Sequence, residues 1–207
     1  TATRIISINA SLNFGSVICG DLLTATLTIT NNGNSPLIVS SINLPTCFTA
    51  DWTSGIIAAG ASVDVTVTFA PLNVLSYGGT ITVNCNSTSG TNTTSCSGDG
   101  LALTRILDIT GLLVFGNVVI GNPTPAELTI TLHNYGNKPL TITGITMPAP
   151  QFTADWTSGT LPPGGSQDVT ISFQPTGVQI FAGTIDIHSN CTSGTSSIAV
   201  IGVGVLF

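Results

Sequence analysis

Hydrophobic and polar residues alternate strictly along several short stretches of the chain. From residue 23 to residue 30, apolar residues alternate with four Thr residues, and residues 62 to 69 and 80 to 85 follow the same pattern. A period of two predicts β-strands with one buried face, and β-branched residues suit a pleated surface. Similar stretches occur in the second half of the chain. The residues predicted to face two cores are Leu27, Ile29, Val65, Val67, Phe69, Ile81, Val83, Leu128, Ile130, Leu132, Val169, Ile171, Phe173, Ile185 and Ile187.

Turn-forming residues separate these stretches, as in Asn31-Asn32-Gly33-Asn34, Ala59-Gly60 and Tyr77-Gly78-Gly79. No segment carries a helical stripe longer than one turn. Short strands that turn every 8 to 12 residues or so, about seven per 100 residues, are typical of an antiparallel β-sandwich of the immunoglobulin-like type. The sequence therefore predicts an all-β protein.

The chain contains one long internal repeat. The segment from Phe48 to Gly55, with the sequence FTADWTSG, recurs unchanged from Phe152 to Gly159. A spacing of about 100 residues is too long for one solenoid unit and fits a whole domain. We therefore predict two tandem immunoglobulin-like sandwiches, one over residues 1–101 and the other over residues 102–207.

Charged residues are rare, at 6% of the chain, with three Lys or Arg, nine Asp or Glu and a formal net charge of -6. Three basic residues cannot neutralise a run of phosphates, which excludes a nucleic-acid-binding protein. No apolar run reaches the roughly 18 residues of a membrane helix, so we expect no membrane insertion. A surface rich in Thr, Ser and Asn predicts an extracellular or cell-surface location. Because the chain begins with Thr1 and shows no signal-peptide pattern, we interpret it as a mature or excised product.

The repeated motif contains Asp51, Trp52 and Gly55 in the first copy and Asp155, Trp156 and Gly159 in the second. Exposed Trp rings would suggest platforms for stacking sugars. A structural role is favoured, in which the Asp caps a turn, the Gly adopts a left-handed conformation and the Trp covers the edge of the sandwich. We therefore expect both Trp side chains to be largely buried.

Five cysteines are present, and four of them lie in the first repeat. Cys85 and Cys96 flank a predicted turn at Gly90-Thr91, so they could face each other across a hairpin and form a disulfide. Cys19 and Cys47 are candidates for a second bridge. Cys191 is left over, either free or paired between chains. Buried free thiols are the alternative for all five.

The sequence offers little for catalysis or for cofactor and metal binding. His133 and His188, the only histidines, fall on the outward phase of strands assigned to different sheets. The side chains of a metal site or a catalytic triad must meet at one place, and residues at these positions do not. We therefore predict that the protein is not an enzyme and holds no cofactor or metal.

Several recurring features carry a resemblance to a known family. They include the Trp-Thr-Ser-Gly segments and, in the first copy, Phe14-Gly15, Phe69-Ala70-Pro71, Gly79-Thr80 and Gly98-Asp99-Gly100. This pattern resembles the bacterial "choice-of-anchor D" repeats, which are relatives of the ASH or Hydin-like immunoglobulin-like domains. The resemblance covers nearly the whole chain, twice. It implies tandem spacer, adhesive or structural modules of secreted or surface proteins, without a catalytic motif.

The function predicted from these features is that of a non-enzymatic extracellular structural protein. We expect a subunit of a cell-surface assembly or filament that self-associates through its terminal strands, because both ends of the chain are apolar and almost free of charge. The alternative is a spacer, or a glycan- or protein-binding module, excised from a larger secreted protein. The residues predicted to contact a neighbouring subunit are Ile5, Ile6, Ile8, Val203, Val205, Leu206 and Phe207.

Overall fold

The structure, a computed structural model, describes residues 1–206 and contains only strands and loops in that range. The chain divides into two compact units, one spanning Thr1–Ala102 and the other beginning at Leu103. Each unit is a sandwich of two five-stranded sheets. The predicted all-β fold with two tandem immunoglobulin-like sandwiches is therefore confirmed.

Unit 1 contains ten strands. Its first sheet has the order β5-β7-β3-β1-β9, and its second has the order β2-β10-β8-β4-β6. The strands are β1 (Ile5–Ile8), β2 (Leu12–Ile18), β3 (Leu23–Asn31), β4 (Leu37–Asn43), β5 (Phe48–Ala50), β6 (Gly55–Ile57), β7 (Ser62–Phe69), β8 (Ser76–Cys85), β9 (Ser89–Gly90) and β10 (Thr93–Leu101).

Unit 2 repeats this topology strand for strand. Its sheets have the orders β15-β17-β13-β11-β19 and β12-β20-β18-β14-β16. The strands are β11 (Ile106–Gly111), β12 (Leu113–Val119), β13 (Ala126–Asn134), β14 (Leu140–Thr146), β15 (Phe152–Ala154), β16 (Gly159–Leu161), β17 (Ser166–Phe173), β18 (Ile180–Ser189), β19 (Ser193–Gly194) and β20 (Ser197–Val205).

The beginning of each unit crosses from one sheet to the other. In unit 1, β1 pairs antiparallel with β3 in the first sheet, and β2 then pairs parallel with β10 in the second. The short strand β9 also pairs parallel with β1. The sandwich is thus mainly antiparallel with two parallel pairings per unit, a detail that the sequence pattern did not predict.

Strand β2 forms an edge of its sheet and contains a β-bulge. Between the pairs Asn13–Ser97 and Ser16–Asp99, β2 advances three residues while β10 advances two. Gly15 lies in this bulge with a φ of 60°, a left-handed conformation that glycine adopts without a steric penalty. Gly116, with a φ of 64°, takes the same place in β12. The repeated Phe-Gly pair therefore marks a bulged edge strand.

The alternating residues of the central strands fill the two cores. Phe69 stacks on Phe48 with 4.7 Å between ring centroids, and Phe173 stacks on Phe152 at the same distance. Of the fifteen residues that the alternation placed inside, fourteen are buried, so the predicted faces are confirmed. Leu128 is the exception. It is half-buried at the start of β13, where it packs against the rim of the core.

Candidate functional site

In unit 1, the repeated Asp-Trp segment is hydrogen-bonded to the neighbouring strand β7 at the end of β5. The Asp51 amide donates to the carbonyl oxygen of Thr66 at 3.1 Å, and the Thr66 amide donates to Asp51 Oδ1 at 2.8 Å. Hydrogen bonds from the side chain and the amide of Thr66 hold the pKa of the Asp51 carboxyl below its ordinary value. The following Trp52 packs against the hydrophobic core. This pair of hydrogen bonds extends the pairing between β5 and β7 by one residue.

The glycine that closes the motif makes room for the indole. A Cβ atom at Gly55 would lie 2.8 Å from Cζ2 of Trp52, and one at Gly159 would lie 2.6 Å from Cζ2 of Trp156. In unit 2, Asp155 forms the same two hydrogen bonds with Thr170, at 3.1 and 2.8 Å. Each Trp ring therefore lies on the backbone of its own unit.

The two Trp side chains are half-buried, whereas the sequence analysis expected them to be largely buried. Each contacts the core of its own unit with part of its ring and leaves the remainder at the surface. Asp51 is thus hydrogen-bonded to the neighbouring strand, and the Trp52 ring packs against Gly55. The details differ from the prediction, because each Asp accepts from the neighbouring strand rather than capping a turn, Gly55 has a nearly extended φ of 156°, and Gly159 is not among the glycines with a positive φ.

The disulfide predicted between Cys85 and Cys96 is wrong. Cys96 lies opposite Gly79 on β8, and Cys85 lies opposite Val39 on β4, so the two cysteines are six residues apart along the sheet. The error comes from the predicted turn at Gly90-Thr91. Residues Ser89–Gly90 instead form β9 and pair with β1.

The second predicted bridge, between Cys19 and Cys47, is also absent, and all five cysteines of the chain are free thiols. Cys19 is half-buried after β2, and Cys47 is half-buried before β5, where it adopts a φ of 69°. Cys96 is buried in the core, and burial raises the pKa of its thiol above the ordinary value. Cys191 packs partly against the second core. Cys96 is therefore a small core residue, and Cys47, Cys85 and Cys191 pack against the edges of the two cores.

The terminal segments lie inside their own sheets. Strand β1 is bonded to both β3 and β9, and Ile6 belongs to the core, while Ile5 and Ile8 are half-buried. Strand β20 is bonded to both β12 and β18, and its residues Val203 and Val205 are half-buried on the outward phase.

The last two candidate contact residues follow β20. Leu206 is exposed, and Phe207 lies outside the described residues. Both terminal strands already have backbone partners on each side. A neighbouring subunit would therefore meet their side chains rather than a free row of backbone donors and acceptors.

Two buried asparagines form a feature that the sequence analysis missed. The side-chain nitrogen of Asn31 lies 2.9 to 3.2 Å from the carbonyl oxygens of Ser35, Ile57 and Ala58, and its side-chain oxygen accepts from the Gly33 amide at 3.0 Å. Asn134 makes the equivalent contacts in unit 2. The repeated Asn-rich turn carried this signal, but it was interpreted only as a turn.

A surface groove of about 310 Å³ lies beside β15 and β17 in unit 2. It is lined by Pro125, Pro150, Gln151, Thr153, Ser172, Gln174 and Thr176. Five of these side chains offer hydroxyl or amide groups, the two prolines are apolar and none carries a charge, so the groove has the chemistry of a shallow hydrogen-bonding site rather than of an acid–base centre.

The few titratable side chains form no catalytic or metal-binding cluster within residues 1–206, although the centroid of the His133 ring lies 4.0 Å from that of Tyr135 and Asp108 is the partner of His133 across the strands. His133 lies on β13 and His188 on β18, so the two histidines belong to different sheets, as predicted. His188 Nε2 contacts Thr146 Oγ1 at 2.7 Å. Within residues 1–206, no group of three or more His, Cys, Asp and Glu side chains is arranged to hold a metal ion. The same range contains no helix that could cross a membrane.

The sequence matches the family model for the HYDIN/CFA65/VesB-like, Ig-like domain twice, over residues 4–99 and 106–203. The chain belongs to this family. The two matched segments lie within the two sandwiches, and the resemblance to Hydin-like immunoglobulin-like domains is confirmed. Domains of this family are typically non-catalytic, and they serve as structural or binding modules.

Solved structures that are similar to this chain include proteins of several kinds. A protein of unknown function from Porphyromonas gingivalis W83 is 20% identical, with 96% of this chain and 99% of that chain covered and a TM-score of 0.40. The ASH/PapD-like domain 7 of human CEP192 is 16% identical, with coverage of 48% and 87% and a TM-score of 0.41. The VesB protease of Vibrio cholerae is 19% identical, with coverage of 45% and 31% and a TM-score of 0.38. No curated protein matches the sequence.

Proposed function

We propose that this protein is a non-enzymatic structural component of an extracellular, cell-surface assembly. The observation that carries the proposal is the exposure of many large apolar side chains on two sandwiches with very little charge. Contiguous exposed apolar surface usually marks an interaction site, and with so few charged side chains such surfaces can meet without burying unpaired ions.

In this proposal, copies of the chain join through the side chains of the terminal strands. Val203 and Val205 on β20, together with Leu206, provide apolar surface next to the last strand. The bulge at Gly15 interrupts the backbone ladder of the long edge strand β2, which disfavours the addition of a foreign strand there. Side-chain packing is therefore the mode of contact that we propose.

The location and the assembly are tested on intact cells of the source organism. Brief protease treatment or labelling with an impermeant reagent should modify the protein, and electron microscopy of material sheared from the surface should show it in particles larger than one chain. A protein that is protected in intact cells, or that is recovered there only as single chains, would contradict the proposal.

A binding module excised from a larger secreted protein is the second candidate. The groove beside β15 and β17 favours it, because Gln151, Thr153 and Gln174 present hydrogen-bonding groups that suit a polyhydroxylated ligand. Binding to a glycan array that Gln174→Ala abolishes would support this alternative. Equal binding by the variant would exclude the groove as the site.

A further inference from the structure

Part of the outward face of the sheet formed by β12, β20 and β18 in unit 2 is apolar, whereas Asn117, Thr184 and Asp186 on the same strands are exposed and polar. We call the apolar part the apolar face and define it by Val114, Ile180, Ala182, Ile201, Val203 and Val205. Val114 is 54% exposed, Ile180 is 66% exposed and Ile201 is 39% exposed. Their inward neighbours Phe181 and Val200 are buried in the core, so the strands are apolar on both sides.

The residues of the apolar face are neighbours across the strands. Ile201 on the central strand lies opposite Val114 on β12 and opposite Ala182 on β18. Val203, two residues further on, lies opposite Ile180. Residues directly opposite each other have Cβ atoms about 5 Å apart, so these side chains form one continuous patch.

The same face of unit 1 has no apolar side chain at five of the six equivalent positions, and only Leu101, the counterpart of Val205, is apolar and exposed. Asn13, Ser97, Gly78 and Asp99 stand where unit 2 has Val114, Ile201, Ala182 and Val203, and Ser76 stands in place of Ile180. All five are exposed, and the Ser76 hydroxyl donates to Asp99 Oδ1 at 2.6 Å. The two units share their fold and most of their buried positions. The fold therefore does not require an apolar surface at these positions.

We propose that the apolar face of unit 2 packs against the same face of a second copy of this chain. None of its six residues carries a charge, so two such faces can meet without burying an unpaired ion. Face-to-face packing also needs no free backbone edge, and the bulge at Gly116 makes strand addition at the neighbouring edge β12 unfavourable.

The size of the face sets the strength of the contact. Leu112 and Leu206, which border the face along the chain, are 74% and 72% exposed. With them the patch measures on the order of 500 Å², within the range of the largest apolar patches on monomers. Two patches would bury on the order of 1,000 Å² in total, which is below the area of a standard stable interface. We therefore expect a reversible dimer with a dissociation constant on the order of micromolar or weaker.

This inference deepens the proposed function, because it names the surface through which copies of the chain meet. The test is sedimentation equilibrium of the purified full chain over a range of concentrations. The wild-type chain should show a monomer–dimer equilibrium. The variant Val114→Asn, Ile180→Ser, Ile201→Ser, Val203→Asp, which gives unit 2 the side chains of unit 1, should weaken association by roughly tenfold or more.

The chain offers a matched control on another surface. Ile38 and Ile56 are exposed neighbours on β4 and β6, where unit 2 has Thr141 and Thr160. The variant Ile38→Thr, Ile56→Thr also exchanges exposed apolar residues for those of the other unit, and its association should equal that of the wild type. Urea unfolding verifies that each variant is folded. If the fourfold variant does not fold, Ile180→Ser with Val203→Asp recreates only the Ser–Asp pair found in unit 1.

The outcomes separate this inference from the proposed function. A wild-type chain that remains monomeric at high concentration would overturn the pairing of two copies and would leave the apolar face to an unlike partner. A folded variant that dimerises as strongly as the wild type would exclude this face as the contact. Neither result bears on where the protein is found in cells. Conversely, the protein could be protected from protease and label in intact cells while its dimer depends on the apolar face. That result would overturn only the proposed location.

Discussion

At the scale of single residues, the buried polar side chain of each sandwich is an asparagine, Asn31 in unit 1 and Asn134 in unit 2. The amide of Asn31 donates toward three backbone carbonyls and accepts from one backbone amide. Asn31→Asp replaces the donor with an oxygen that faces those carbonyls in a buried place. Because unpaired buried groups and charges are costly, we expect a loss of about 3 kcal/mol or more in the free energy of unfolding of unit 1, measured by urea denaturation.

The neighbouring residue provides the control for this substitution. Asn32 is exposed, and its side chain contacts only the Ser7 hydroxyl, at 3.1 Å. Asn32→Asp introduces the same charge one residue away and should change the stability by no more than about 0.5 kcal/mol. Equal effects of the two substitutions would show that the charge in this loop, rather than the hydrogen bonds of Asn31, determines the stability.

The contact between the tryptophan and the glycine gives a second prediction at this scale. A methyl group at Gly55 would lie 2.8 Å from the Trp52 ring. Gly55→Ala should therefore displace the ring and cost about 1 to 3 kcal/mol, with a shift in tryptophan fluorescence. Because the ring is only half-buried, Trp52→Ala should cost less than the roughly 3 to 5 kcal/mol typical of a fully buried ring.

The double variant tests whether the clash is the cause. In a Trp52→Ala background the added methyl group no longer meets the ring, so Gly55→Ala should cost less there than in the wild type. Strictly additive costs would mean that Gly55 matters for its backbone conformation alone.

At the scale of the elements, the bulge in β2 predicts a clear order of substitutions at Gly15. A Cβ atom there meets nothing within 4 Å, so only the left-handed backbone, with its φ of 60°, opposes a side chain. Gly15→Val should cost about 1 to 2 kcal/mol, and Gly15→Asn distinctly less, because Asn tolerates this conformation. Thermal unfolding of the two variants measures the difference. Equal losses of stability in the two variants would indicate that lack of space, rather than backbone conformation, requires glycine at this position.

The elements that sequence patterns predicted well are those with a strict period of two. In β7 and β17 a shift of one residue would turn every apolar side chain to solvent, so the alternation determines the buried face. The edge strands were predicted less well, because they pair with strands that are distant in the sequence. Ser89–Gly90 resembles a hairpin turn but pairs with β1, and this long-range pairing separates Cys85 from Cys96.

The apolar face escaped prediction for a related reason. Residues 198 to 203 are nearly all apolar, so their sequence does not distinguish inward from outward positions. The sequence analysis therefore predicted that the end of the chain contacts a neighbouring subunit, and named Val203 and Val205, without identifying the strands beside them. Only the pairing with β12 and β18 reveals that Ile201 and Val203 point outward while the backbone of β20 is fully used.

At the scale of the whole molecule, the absence of disulfides among the cysteines predicts that reduction has no effect on stability. All five thiols are free, and Cys96 is buried in the first core. We expect equal unfolding temperatures with and without a reducing agent, and five reactive thiols after denaturation. Cys96→Val, which introduces the residue found at the equivalent Val200, should cost less than about 1.5 kcal/mol. A lower unfolding temperature under reducing conditions would indicate a disulfide in solution.

The two cores share no residue, and this separation predicts how the whole chain unfolds. Ile6 and Leu107 occupy equivalent places in β1 and β11, and both are buried. Ile6→Ala should lower the stability of unit 1 by about 2 to 5 kcal/mol, and Leu107→Ala should do the same for unit 2.

Trp52 and Trp156 report on one unit each when the other is replaced by Phe, so fluorescence during urea unfolding can follow the units separately. Each substitution should shift only the transition of its own unit. For the same reason, a deletion of residues 1–10 is not a clean test of assembly. The deletion removes Ile6 and should unfold unit 1, whether or not the terminal strand contacts a neighbouring subunit. If both core substitutions shifted both transitions equally, the chain would instead unfold as a single cooperative body.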